Sequence, residues 1–107
     1  MHSWLRNHLD SMVIKEEIEE VIKNTYDPEL GIDLWTLGLI YDVDFDGETQ
    51  KLCLKMTFTT PLCPYGPQIV GELKSKFRSL GLEDVKVDVV FDPPWEPSAE
   101  VRAMLGV

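Results

Sequence analysis

The chain has 107 residues, 44% hydrophobic and 27% charged, with a net charge of −9. That length suits one globular domain, and the acidic balance argues against nucleic acid and disfavours an anionic membrane surface as partners, since both are met by clustered Lys and Arg. Two cysteines, Cys53 and Cys63, make no disulfide framework and point to a reducing cytoplasm, and no apolar run approaches the ~20 residues of a membrane span.

Residues 1–13 read as an N-terminal extension without the apolar region of a signal peptide. Trp4, Leu5, His8, Leu9 and Met12 fall on one face of a short helix, and the stretch reads equally well as a loose extension. His2 and His8 have no cysteine or carboxylate pattern beside them, so a metal role is not assigned. From residue 14 to 107 the pattern is that of a folded domain. Ile14, Ile18, Val21, Ile22 and Thr25 recur at the spacing of one helix face, and charged residues cover the other. Ser11 is the best-placed N-cap. Pro28 stops this helix, and Asp27-Pro28 reads as a turn. Residues 32–38 suit a packed loop or a short helical turn closed by Gly38.

Strand signals follow. From Leu39 to Phe45, Tyr41, Val43 and Phe45 alternate with Ile40, Asp42 and Asp44. Asp46-Gly47 signals a hairpin. From Leu52 to Phe58, even-numbered residues make an apolar face, and Cys53, Lys55, Thr57 and Thr59 the other; Cys53 is read as structural. Ile69, Val70, Leu73, Phe77 and Leu80 then repeat at helical spacing up to a stop at Gly81. Val85, Val87, Val89 and Phe91 mark a third strand. Three prolines in residues 92–97 make a stiff loop, and Ser98 caps a last helix over Ala99–Leu105.

The order α-β-β-α-β gives an α+β fold, a three-stranded sheet with two main helices on one face and the strand order left open. Strands joined by a crossover helix run parallel, so the segments after the second and third strands leave from the same sheet edge. One of them is Thr59-Thr60-Pro61-Leu62-Cys63-Pro64-Tyr65-Gly66-Pro67. A thiol there precedes a helix, whose N-terminal amides favour the thiolate. Cys63-Pro64 suits a cap followed by the first helical residue, and Gly66-Pro67 offers a rival start. The other segment is Asp92-Pro93-Pro94-Trp95, in which Trp95 is placed to shield the thiolate or to act as a packing anchor, and Asp92 to accept a hydrogen bond.

Asp27-Pro28-Glu29, Leu37-Gly38-Leu39-Ile40-Tyr41, Thr59-Thr60-Pro61-Leu62-Cys63-Pro64 and Phe91-Asp92-Pro93-Pro94-Trp95 occur in that order. In this the chain resembles the iron–sulfur cluster assembly domain family, the SufT and PaaD-like metal–sulfur cluster biosynthetic proteins, over residues 14–107. The resemblance implies a cytoplasmic carrier or adaptor in the maturation of iron–sulfur proteins, not an enzyme. It implies a reactive, metal-ligating cysteine at Cys63. Asp27, Glu29, Thr59, Thr60, Asp92 and Trp95 would be the supporting or partner-binding residues. Ile14 stands where relatives often have a helix-capping Thr or Ser.

Clusters need several thiolates. One strong ligand per chain therefore implies a transient iron or iron–sulfur cluster shared across a homodimer, with a small thiol or with a partner. The partners expected are the assembly machinery and client apoproteins. The alternative is an adaptor module that docks partners and binds no metal or cluster. A thiol enzyme is disfavoured, because nucleophilic cysteine wants a nearby base and both histidines lie in the first eight residues.

Overall fold

Alternating apolar and charged residues build three short strands, and the two main helices, each with one apolar face, close over one side of them. The computed structural model describes residues 12–60, 62 and 64–106. The elements are α1 (Lys15–Lys23), α2 (Leu34–Leu37), β1 (Ile40–Asp46), β2 (Lys51–Met56), α3 (Gly66–Leu80), β3 (Asp84–Val89) and α4 (Ala99–Leu105). The sheet order is β1-β2-β3, with β1 antiparallel and β3 parallel to the central β2. The fold is α+β, as expected, with the α2 turn and α4 added to the α-β-β-α-β frame.

Register decides which side is which. Phe45, Leu52 and Val85 share a row, as do Val43, Leu54 and Val87. This face meets Ile18 and Ile22 of α1 and Ile69, Leu73 and Phe77 of α3 in one core. Burying each such side chain contributes about 1.5–3 kcal/mol. The opposite face carries Asp42, Asp44 and Asp46 on β1, Lys51, Cys53 and Lys55 on β2, and Asp84, Lys86 and Asp88 on β3. Antiparallel and mixed sheets tolerate such a solvated side. Cys53 sits half-buried in the row between Asp44 and Lys86, in keeping with the structural reading.

Several boundaries differ from expectation. Helix α1 is capped by Ile14, not Ser11, which lies outside the described residues together with Trp4, Leu5, His8 and Leu9. Ile14 has no side chain that can cap. Instead the Glu17 carboxylate reaches back to accept from its N–H at 3.1 Å, half of a capping box. The hairpin after Asp46 is a four-residue turn over residues 47–50, and its left-handed residue is Gln50 (φ 57°) rather than Gly47.

Strand β2 ends at Met56. Thr57, expected on the polar face, is fully buried, because its N–H leaves the ladder to donate to the Leu39 carbonyl at 2.8 Å. Phe91, expected to face the core, lies past the end of β3 and is 43% exposed. Helix α3 uses the later of its two starts, with Tyr65 as N-cap and Pro67 in the first turn; Cys63-Pro64 does not begin it. The α4 reading holds in full: Ser98 Oγ accepts from the Val101 N–H at 3.1 Å.

Candidate functional site

The first residues of β1 and the last of β2 and β3 meet at one edge, where Ile40 pairs with Met56 and Met56 with Val89. Three of the four sequence motifs converge there. The Leu39 carbonyl accepts from Thr57. Tyr41 Oη donates to the Pro93 carbonyl at 2.7 Å. Trp95 Nε1 donates to the Leu37 carbonyl at 2.6 Å, and its ring packs on the core. The residue 37–41 motif is thus the hub that fixes both loops. Trp95 has the packing-anchor placement, its one polar atom being spent on Leu37. Asp92, which precedes Pro93 across a cis peptide bond, is exposed.

Between these loops runs the turn that carries the cysteine motif. Thr59 is half-buried and Thr60 exposed, and Thr60 Oγ1 accepts from the Leu62 N–H at 3.2 Å. That bond turns the chain outward, leaving Leu62 89% exposed. Pro61 and Cys63 lie outside the described residues. The helix that follows has no acidic residue in its first turn and no side chain bonded at its cap, so its N-terminal partial positive charge is uncompensated on its own element.

Sequence reasoning missed the apolar cleft beside this turn. About 510 Å³ in volume, it is lined by Phe58, Gly66, Pro67, Val70, Val89 and Phe91. The rings of Phe58 and Phe91 pack at a 58° tilt with centroids 6.2 Å apart. The available signal was a pair of aromatics just beyond two parallel strand ends, together with a glycine where a ring had to pass.

Asp27 and Glu29 belong to a different place. Asp27 is buried at 2% exposure, and one carboxylate oxygen accepts from the Glu29 and Leu30 N–H groups at 2.8 and 3.0 Å. It builds the turn between α1 and α2, whereas the Glu29 side chain is solvent-facing. No bond described here links this turn to the sheet edge. Among the described residues no group of three or more His, Cys, Asp or Glu is arranged to hold a metal ion. Nor, among them, is any helix long and apolar enough to cross a membrane.

The family model described as "Iron-sulfur cluster assembly protein" matches residues 15–89. The chain is 42% identical over 98 residues to the Fe-S protein maturation auxiliary factor YitW of Bacillus subtilis, covering 88% of this chain and 95% of that protein. It is 44% identical over 86 residues to the Fe-S protein maturation auxiliary factor SufT of Staphylococcus aureus, covering 76% and 96%. Among solved structures, a conserved hypothetical protein of Thermotoga maritima superposes with a TM-score of 0.77 at 38% identity, covering 91% and 98%. With more than half its length matched by the family model and relatives above 40% identity over most of both chains, this chain belongs to the iron–sulfur cluster assembly protein family.

Proposed function

We propose that this protein is a cytoplasmic maturation factor that carries iron or an iron–sulfur cluster, as cargo, through the thiolate of Cys63. The observation that carries the reading is that hydrogen bonds join the 37–41 motif to the 91–95 loop and to Thr57, at the edge from which the chain runs on into the 59–64 turn. Rigid loops on either side hold a ligand better than a free tail does. Cys53 belongs to β2 and lies on the sheet face turned away from the helices, so it is not assigned as a ligand. A cluster therefore completes its thiolate set from a second copy, a small thiol or a partner, and such shared ligation favours release to a client. Thr59 and Thr60 shape the turn, Trp95 and Asp92 bound it, and the Asp27-Glu29 turn offers a second contact for the assembly machinery or client apoproteins. No catalytic step is assigned.

Cys63→Ser tests this. Anaerobically purified parent protein should carry iron and sulfide, or take them up, and support maturation of a client. The variant should lose both while keeping its melting temperature. A folded variant that matures clients as well as the parent overturns the reading.

Leu62 and the aromatic cleft favour a second reading, an adaptor that docks partners and binds no metal. Partners retained by Cys63→Ser, with no iron on the parent, would select it.

A further inference from the structure

Strand β3 is paired on one side only. It lies beside β2, and among the described residues nothing pairs with its other edge. The Val90 N–H donates to the Met56 carbonyl at 2.8 Å, so by alternation Asp84, Lys86 and Asp88 also turn their backbone groups towards β2. Val85, Val87 and Val89 therefore hold their N–H and C=O groups out along the open edge. Their side chains are half-buried, whereas Leu52, Leu54 and Met56, in the same rows of β2, are at most 2% exposed. The apolar cleft lined by Val70, Val89 and Phe91 adjoins this edge on the helix side. No proline or bulge interrupts β3, although such devices commonly keep an open edge from pairing.

We infer that two copies of this chain join along this edge, β3 running antiparallel to the partner's β3 about a two-fold axis at Val87. Charge selects that register. With the axis at Val87, Lys86 stands opposite the partner's Asp88, and Asp88 opposite the partner's Lys86, on the solvated face. Neither Lys86 nor Asp88 has an ion-pair partner among the described residues of its own chain. Val87 meets the partner's Val87 and Val85 the partner's Val89, all of them residues whose backbone groups face outward, so each pair exchanges both of its hydrogen bonds. An axis at Lys86 would instead set Lys86 against the partner's Lys86 and Asp84 against the partner's Asp88, and like charges directly opposite are destabilising. It would also leave Val89 beyond the end of the partner's strand. The other free edge, β1, cannot pair with itself in this way. Asp42, Asp44 and Asp46 share one face, so any antiparallel register there opposes acid to acid, and the register breaks between Ile40 and Asp42. Joining at β3 makes one continuous sheet with both α3 helices on the same side. The strand-end edges of the two copies, each at Met56 and Val89, then lie at opposite ends of the seam and stay open. Pairing of this kind holds whether or not the protein carries a cluster.

Sedimentation of the full-length chain at low salt, over a range of concentrations, tests this. The parent should show a reversible monomer–dimer equilibrium. Lys86→Glu and Asp88→Lys each place like charges across the seam, and each should weaken the dimer about tenfold. An equal mixture of the two variants sets opposite charges face to face again and should recover the parent's association. A parent that stays monomeric up to millimolar concentration overturns the inference. Variants that dimerise as well as the parent overturn it too, since the copies would then meet elsewhere, and so does a mixture no tighter than its components. Should either variant unfold, hydrogen exchange on the parent decides. Amides of Val85, Val87 and Val89 should gain protection as concentration rises, while those of β1 should not, and unchanged protection at the three valines sinks the proposal.

Discussion

A Cβ built on Gly66 would lie 2.6 Å from the ring of Phe58, closer than any real contact. The need for glycine here is one of space. Gly66→Ala must turn the Phe58 ring away from α3, and the ring, only half-buried, has room to move. We expect the variant to fold with a loss of about 1–3 kcal/mol in urea unfolding and with shifted Phe58 and Phe91 ring resonances. Unshifted resonances would show that the ring does not bear on the helix start. Asp27 teaches a related lesson. The motif Asp27-Pro28-Glu29 marks a turn, and the sequence says so, but it does not say that the aspartate's oxygens are consumed inside that turn while the glutamate faces water. Which member of a motif is structural depends on burial, and burial is settled by neighbours distant in sequence.

Helices and strands were legible where their own residues determine them. Ser98 caps α4 because a hydroxyl before a helical run has an amide to receive. The rows of valine on β3 and leucine on β2 follow from period two. Ends were less legible. Helix α1 starts at an isoleucine whose N–H donates to the Glu17 carboxylate, a start that no N-cap side chain marks, and Thr57 leaves its strand to satisfy Leu39, a partner eighteen residues back. The β1–β2 hairpin carries its own acid sensitivity. Backbone N–H donors from Thr49 first, then Glu48, hold the Asp46 carboxyl below its ordinary value of 3.8. A lowered carboxyl contributes its stabilisation in full above that ordinary value and loses it as pH falls through the lower folded one. Protection of the Glu48 and Thr49 amides, measured against their intrinsic exchange rates, should therefore hold down to about pH 4 and fall at lower pH, and Asp46→Ala should show little protection throughout.

At the scale of the molecule, the loops after β2 and β3 are secured to the segment before β1, so three distant stretches share one junction. Trp95→Phe keeps an aromatic ring, smaller than the indole, but removes the bond to the Leu37 carbonyl, leaving that acceptor without its donor. The expected cost is about 1 kcal/mol in thermal or denaturant unfolding, with faster proteolysis in residues 92–97 as the local readout. Unchanged proteolysis would show that packing alone holds the loop. The parallel pairing that brings the loops together was readable from the helix between the strands. The junction itself was not, because carbonyl acceptors such as Leu37 and Pro93 leave no mark in a sequence.

The placement of β2 between its two neighbours also sets an order in time. Its contact with β1 closes a four-residue turn, an event of ~1–10 μs for a hairpin. Its contact with β3 must wait until the whole of α3 has been laid across the gap, a far larger loss of chain freedom. Newly made chains should thus acquire the hairpin first and the third strand last, and the edge that bears the cysteine turn would be the final part of the protein to take shape.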